Sequence, residues 1–144
     1  MQTQPTVLLQ HVTRVGRHYD WLVGDPSAEA GGRLWTARLA LPSGQWQAAG
    51  RLTLMELPPH RRAYLHHQGP VSGGRGVVRR VDAGTVRPVL WTATRRVLAV
   101  RMRYYQGLAE LRWLAGERWS AVVTPGGDGG RNGKSFAERP VVLL

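Results

Sequence analysis

The stretch LAELRWLAGERWSAVV, residues 108–123, decides the fold. Leu108–Leu114 and Glu117–Val123 are short alternating segments, and Ala115-Gly116 between them is a two-residue hairpin signal. Toward the N-terminus, Val97–Tyr105 and Thr85–Ala93 read as two more strands. Gly76–Asp82 precedes them, with Ala83-Gly84 expected as a tight turn. Gln47–Leu57 is a strand closed by Pro58-Pro59, and Arg33–Leu41 is one closed by Pro42-Ser43-Gly44. His18–Val23 and Val7–Val12 complete about nine short strands, with no amphipathic helix longer than about two turns. The expected class is all-β. A barrel or a sandwich fits this pattern, and a compact antiparallel β-barrel is the preferred form, because closure removes exposed sheet edges.

The chain has 144 residues, a length that favours one domain with a real core. Residues 1–124 are expected to form the barrel. Residues 125–144 hold five glycines between Gly126 and Gly133 and are expected to be a flexible segment, with apolar Pro140–Leu144 docking back as an edge strand. Gly129–Ser135 imitates a phosphate-binding P-loop, but the spacing is one residue short and no βαβ unit surrounds it. There is no cysteine, which excludes disulfides, a thiol nucleophile and thiolate metal sites. No apolar run approaches the length of a membrane span, and no signal peptide is visible, so the expected location is cytoplasmic, without a membrane partner.

Twenty Lys and Arg face nine Asp and Glu, for a net charge of +11. Lys134 is the sole lysine. Such an excess fits a polyanionic partner, and it equally fits a genome that favours arginine codons. Arginines interleave with apolar residues at Val77–Val81 and Val100–Arg103, which predicts sheets with one basic face. The six tryptophans read mainly as core or cross-strand partners rather than base-stacking platforms.

Two clusters carry chemistry. His18 and Asp20 lie two apart on one strand and so share a face, and a turn through Gly16 returns the chain beside His11. Two imidazoles and one carboxylate form a mixed N/O donor set suited to Mn²⁺, Zn²⁺ or Fe²⁺, with positions left open for other ligands. The second cluster is His60-Arg61-Arg62-Ala63-Tyr64, His66-His67 and the glycine-rich Gly69–Gly76 with Arg75. Its Arg and His can grip a phosphate or protonate a leaving oxygen. His66 and His67 are adjacent, so on a strand at most one joins a common site.

Together these clusters resemble the 3′-phosphoesterase domain of bacterial DNA ligase D, especially its short stand-alone members. That family opens with a His on a strand, a short turn and a His-Tyr-Asp triplet, matched here by His11 and by His18-Tyr19-Asp20. A His followed four residues later by a Tyr, a Gly-rich turn and Asp-x-Gly match His60, Tyr64, Gly69–Gly76 and Asp82-Ala83-Gly84. The likeness spans roughly residues 7–105. It implies a β-barrel in which His11, His18 and Asp20 hold a metal, manganese first and zinc next. It implies His60 as a catalytic phosphate contact and proton donor, supported by Tyr64. It implies removal of a 3′-phosphate or 3′-ribonucleoside from DNA or RNA-terminated DNA ends during end joining and repair, alongside a ligase or polymerase. Two positions after the Asp, where the family typically has a phosphate-contacting Arg, this chain has Leu22. Arg75, then Arg14, Arg17 or Arg62, is the expected replacement. The competing readings are a nucleic-acid-end binding barrel that has lost turnover, and a protein-interaction barrel.

Overall fold

The computed structural model describes residues 1–126, which form nine strands. They are β1 (Gln4–Thr13), β2 (Gly16–Gly24), β3 (Leu34–Leu39), β4 (Arg51–His60), β5 (Gly69–Pro70), β6 (Val77–Trp91), β7 (Arg95–Met102), β8 (Gln106–Ala115) and β9 (Arg118–Pro125). The order β1-β2-β3-β4-β9-β8-β7-β6 closes because β6 also pairs with β1, so eight antiparallel strands make a barrel. Short β5 flanks the start of β6. The all-β barrel read from the sequence is the observed fold. Of the segment expected to be flexible, residues 127–144 lie outside the described residues.

Alternation along the strands sorts side chains into two sets. Leu8, Trp21, Val23, Trp35, Leu54, Leu98, Val100, Leu111 and Trp119 fill the lumen. Each fully buried side chain of this kind contributes about 1.5–3 kcal/mol. The helical turn α1 (Trp46–Ala49) stops one end, its Trp46 ring standing edge-on to Trp21 at 4.9 Å. At the other end the Arg96 guanidinium lies 4.0 Å from the ring centre of Trp91 and 4.7 Å from that of Trp119. The lumen is thus a packed core.

A second, smaller apolar cluster lies on the outside of the wall. Val7, Leu9, Leu22, Leu34 and Val78 point outward from β1, β2, β3 and β6, and Val71 covers them together with Tyr64 and Leu65. The segment after β4 therefore wraps the outer face instead of running free through solvent. Arg80 pins it: its amide donates to Gln68 Oε1 (3.0 Å), and its guanidinium donates to the Leu65 carbonyl (2.8 Å).

Three expected boundaries change. The segment from Gln47 is not strand at first: Trp46–Ala49 is helical and Gly50, at φ 74°, ends it before β4 begins. Pro58-Pro59 does not close its strand. The two prolines sit where the β3–β4 register shifts, between Thr36↔Leu57 and Leu34↔His60, and proline is tolerated at such an irregularity because no ladder amide is needed. Ala83-Gly84 is not a turn, because β6 runs unbroken through it. Gly84 is required there for closeness, since a Cβ would collide with the Arg101 carbonyl of β7.

Asp82, one residue past a bulge in the β1–β6 register, is buried and acts as a cap. Its carboxylate accepts the amides of Ala83 (2.8 Å), Arg103 (2.8 Å) and Tyr104 (3.0 Å) and the Ser43 hydroxyl (2.5 Å). It thereby ties the β7–β8 turn to the 3-10 turn before α1. Asp82→Ala leaves these donors without their acceptor, so the expected loss is about 3 kcal/mol of unfolding free energy, read by denaturant titration. Ser43→Ala, which removes one donor of the set, is expected to cost about 1 kcal/mol.

Candidate metal centre and phosphate pocket

The β1–β2 register sets His11 directly opposite His18 and Leu9 opposite Asp20. All three polar side chains stand on the outer face. One ligand atom from each of His11, His18 and Asp20 lies within 4.8 Å of the others. His11 Nδ1 is 3.6 Å from Asp20 Oδ2, and His18 Nε2 is 3.4 Å from Asp20 Oδ1. The two imidazoles meet edge-on at 4.8 Å.

Two observations are compatible with this donor set holding a divalent metal. First, His18 Nε2 and Asp20 Oδ1 are both buried and neither has a hydrogen-bond partner. Paired buried groups are the norm, and these two orphans lie 3.4 Å apart, so one cation could serve both. Second, His11 donates its Nε2–H to the Arg75 carbonyl at 2.5 Å, which leaves the Nδ1 lone pair facing Asp20. A second hydrogen bond of this type fixes the tautomer of a metal-binding histidine. Burial, then the charges of Arg38 and His11, hold the His18 imidazole below its ordinary pKa against the opposing pull of Asp20, so its neutral, metal-binding form prevails near pH 7.

A cavity of about 520 Å³ opens beside this triad. Its lining includes His11 and Asp20, His60, Arg61 and Tyr64 from the segment after the proline pair, and Arg75 from the Gly-rich turn. His60 donates Nδ1–H to the Pro58 carbonyl (3.1 Å), which frees Nε2, and its ring packs against Tyr64 at 5.3 Å. Tyr64 also meets His67 edge-on, at 5.3 Å. His67 is fixed by a hydrogen bond to the Pro70 carbonyl (3.0 Å). It is a brace for Tyr64.

The structure redistributes the expected arginines. Arg75 lines the cavity, but its guanidinium folds back on its own turn, donating to the Ser72 carbonyl (2.7 Å) and hydroxyl (3.0 Å). Arg14 in the β1–β2 turn and Arg17 at the start of β2 are exposed and do not line the cavity. Arg62 belongs to a 3-10 turn and does not line it either, whereas its neighbour Arg61 does. Leu22, where the resembling family has arginine, is buried in the outer apolar cluster.

Two further cavity residues, Arg38 and Arg33, are not among the expected ones. Arg38 pairs in register with Asp20 across β2–β3, and its Nε is 3.8 Å from Asp20 Oδ1. Every ion pair among the described residues ends on Asp20. The signal for Arg38 was its parity on β3, but register across two strands is needed to use it.

No family model matches the chain, and no curated protein matches it. No helix among the described residues is long and apolar enough to cross a membrane.

Gly76 lets the Gly-rich turn reach His11: it sits at φ 94°, and a Cβ there would collide with the Val12 carbonyl and crowd His11 Nε2 at 3.3 Å. Gly76→Ala is therefore expected to weaken divalent-metal binding about 10–100-fold by calorimetry with Mn²⁺ or Zn²⁺. Arg75→Ala keeps the carbonyl and is expected to leave that affinity within about twofold of wild type.

Proposed function

We propose that this protein is a metal-dependent phosphoesterase that removes a 3′-terminal phosphate from nucleic-acid ends. The observation that carries the reading is the convergence of His11, His18 and Asp20 beside a cavity that also holds His60, Tyr64, Arg38 and Arg33. The resemblance to the ligase D phosphoesterase domain supports the same assignment, as does the excess of basic residues over acidic ones. The same reading makes DNA or RNA-terminated DNA ends the substrate, manganese the first candidate metal, and a repair ligase or polymerase the partner that uses the cleaned end.

His11 Nδ1, His18 Nε2 and a carboxylate oxygen of Asp20 would hold the cation, which when bound supplies Lewis-acid polarisation of a phosphoryl oxygen. The chain's own groups do the rest. Arg38 and Arg33 offer fixed positive charge to the other phosphoryl oxygens, where charge grows in the transition state. Water attacks phosphorus and the bond from phosphorus to the 3′-oxygen breaks. The imidazolium form of His60, oriented by Pro58 and Tyr64 and carrying protons on both ring nitrogens, gives the Nε2 proton to the departing 3′-oxygen and keeps the Nδ1 proton on the Pro58 carbonyl. The products are inorganic phosphate and a 3′-hydroxyl. Phosphate contacts carry little sequence information, so binding should fall as salt rises.

The loss of an arginine at Leu22 favours a second reading, a barrel that binds ends without turnover. Phosphate release from a 3′-phosphorylated primer in the presence of Mn²⁺ separates the two. Release is expected from wild type and not from His11→Ala or Asp20→Ala, with DNA binding retained in both variants. Arg38→Gln is expected to lower turnover about 100-fold. No release by wild type at any metal concentration, with end binding intact, would sink the enzyme reading in favour of the second.

A further inference from the structure

The wall opposite the triad is centred on β8. Around the closed order β8 stands four strands from β2 in either direction, through β3, β4 and β9 or through β1, β6 and β7. Leu98 and Val100 of β7, Ala109 and Leu111 of β8, and Trp119 and Ala121 of β9 face the lumen. The residues that alternate with them face out. Those outward positions carry Arg95 and Arg101 on β7, Arg112 on β8 and Arg118 on β9. Arg51 on β4 and Arg87 on β6 extend the set to both sides. All six are exposed.

These arginines are set against one another rather than against carboxylates. Arg95 lies directly opposite Arg112, and like charges directly opposite destabilise a sheet. Ser120 and then Thr53 continue that row across β9 and β4 without a counter-charge. Glu110 is the one acid among the outward positions of the wall, and it stands opposite Val97 and Val122. Among the described residues none of the six arginines takes part in an ion pair. The floor between them is apolar, with Ala99 and Leu108 packed against Val97. Codon preference accounts for arginine in place of lysine, but not for arginine facing arginine. The wall is also large. Arg95 to Arg101 along β7 spans about 20 Å, and the four strand intervals from β4 to β6 span about 19 Å. Each strand of a duplex carries a phosphate for about every 3.4 Å of axis, so a backbone lying along β7 passes about six of them.

We infer that this wall is a second nucleic-acid contact surface, one that grips backbone phosphates away from any strand end. A guanidinium donates two parallel N–H groups to a phosphate, and a row of them meets a regular phosphate backbone again and again. An acidic protein surface, with carboxylates at irregular spacing, matches such a wall less well. A bound backbone also relieves the repulsion between Arg95 and Arg112, so the free protein carries a strain that the ligand removes. Because the wall faces away from the cavity, nucleic acid held there does not compete for the triad. The inference takes nucleic acid as the ligand from the phosphoesterase reading. It goes further by giving the protein a hold on nucleic acid that needs no 3′ end.

The test uses a small, covalently closed circular DNA duplex, which has no end to place in the cavity, and measures binding across a range of salt concentrations. Wild type is expected to bind the circle. Combining Arg87→Gln, Arg95→Gln, Arg101→Gln and Arg112→Gln is expected to weaken that binding about 10–100-fold and to lower the log–log salt slope by about 3–4. Mn²⁺ affinity should stay unchanged, and the thermal midpoint should not fall, because like charges have been removed. Lysine at the same four positions keeps the charge and is expected to hold the affinity within about threefold of wild type. Asp20→Ala and Arg38→Gln, which act in the cavity, are expected to bind the circle as wild type does. The inference is overturned if wild type does not bind the circle, or if the glutamine variant binds it equally well. It is also overturned if the cavity variants lose as much as the glutamine variant. Preference of wild type for polyglutamate over the circle would overturn it in favour of an acidic protein partner. Failure of the phosphoesterase reading looks different: phosphate release from a 3′-phosphorylated primer is absent, while circle binding and its dependence on these arginines persist.

Discussion

Strand β1 holds the molecule together by pairing on both edges, with β2 and with β6. Without the second pairing the sheet would be open, and both its edges would present unpaired amides and carbonyls to solvent. With it, the wall becomes a closed surface with an inside and an outside. Leu8 then faces the lumen while Val7, Leu9 and His11 face out. Core and candidate site are two sides of one strand.

That division explains where the chemistry can be. Trp46 fills one end of the lumen, and Arg96 among Trp35, Trp91 and Trp119 fills the other. A ligand has no route through the centre. The outer wall of β1, β2 and β3 is a better place, because the segment after β4 lies over it and turns a flat sheet face into a sheltered recess. The shelter matters for electrostatics. It removes enough water to leave His18 Nε2 and Asp20 Oδ1 without partners, and charge interactions strengthen in such surroundings.

Much of this was legible in the sequence. The hairpin through Ala115-Gly116 and the shared face of His18 and Asp20 follow from period-two alternation alone, a local property. His60 and Tyr64 were legible as a pair because they stand four residues apart in a distinctive cluster. What was not legible depends on register between strands distant in sequence. Arg38 reaches the site because β3 pairs with β2 at one particular offset, and nothing within β3 fixes that offset. Asp82 looked like the end of a strand because Ala83-Gly84 has turn composition. The glycine instead answers a close approach by β7, a contact invisible from β6. Arg75 was expected to act through its side chain, but it reaches His11 through its backbone, which carries no residue signature.

The bulge between Leu8 and Leu9 in the β1–β6 register has a consequence for inheritance as well as for shape. Alternation makes a strand a two-letter code, and a one-place slip exchanges the letters, sending His11 inward and Leu8 outward. The extra residue in β6 fixes the frame, because a shifted β1 would no longer match it. A single insertion or deletion in β1 would therefore cost fold and site at once. A substitution at an outward polar position such as His11 spares both the lumen and the outer apolar cluster. Lineages carrying this wall are free to change its chemistry one side chain at a time, but not the spacing of β1.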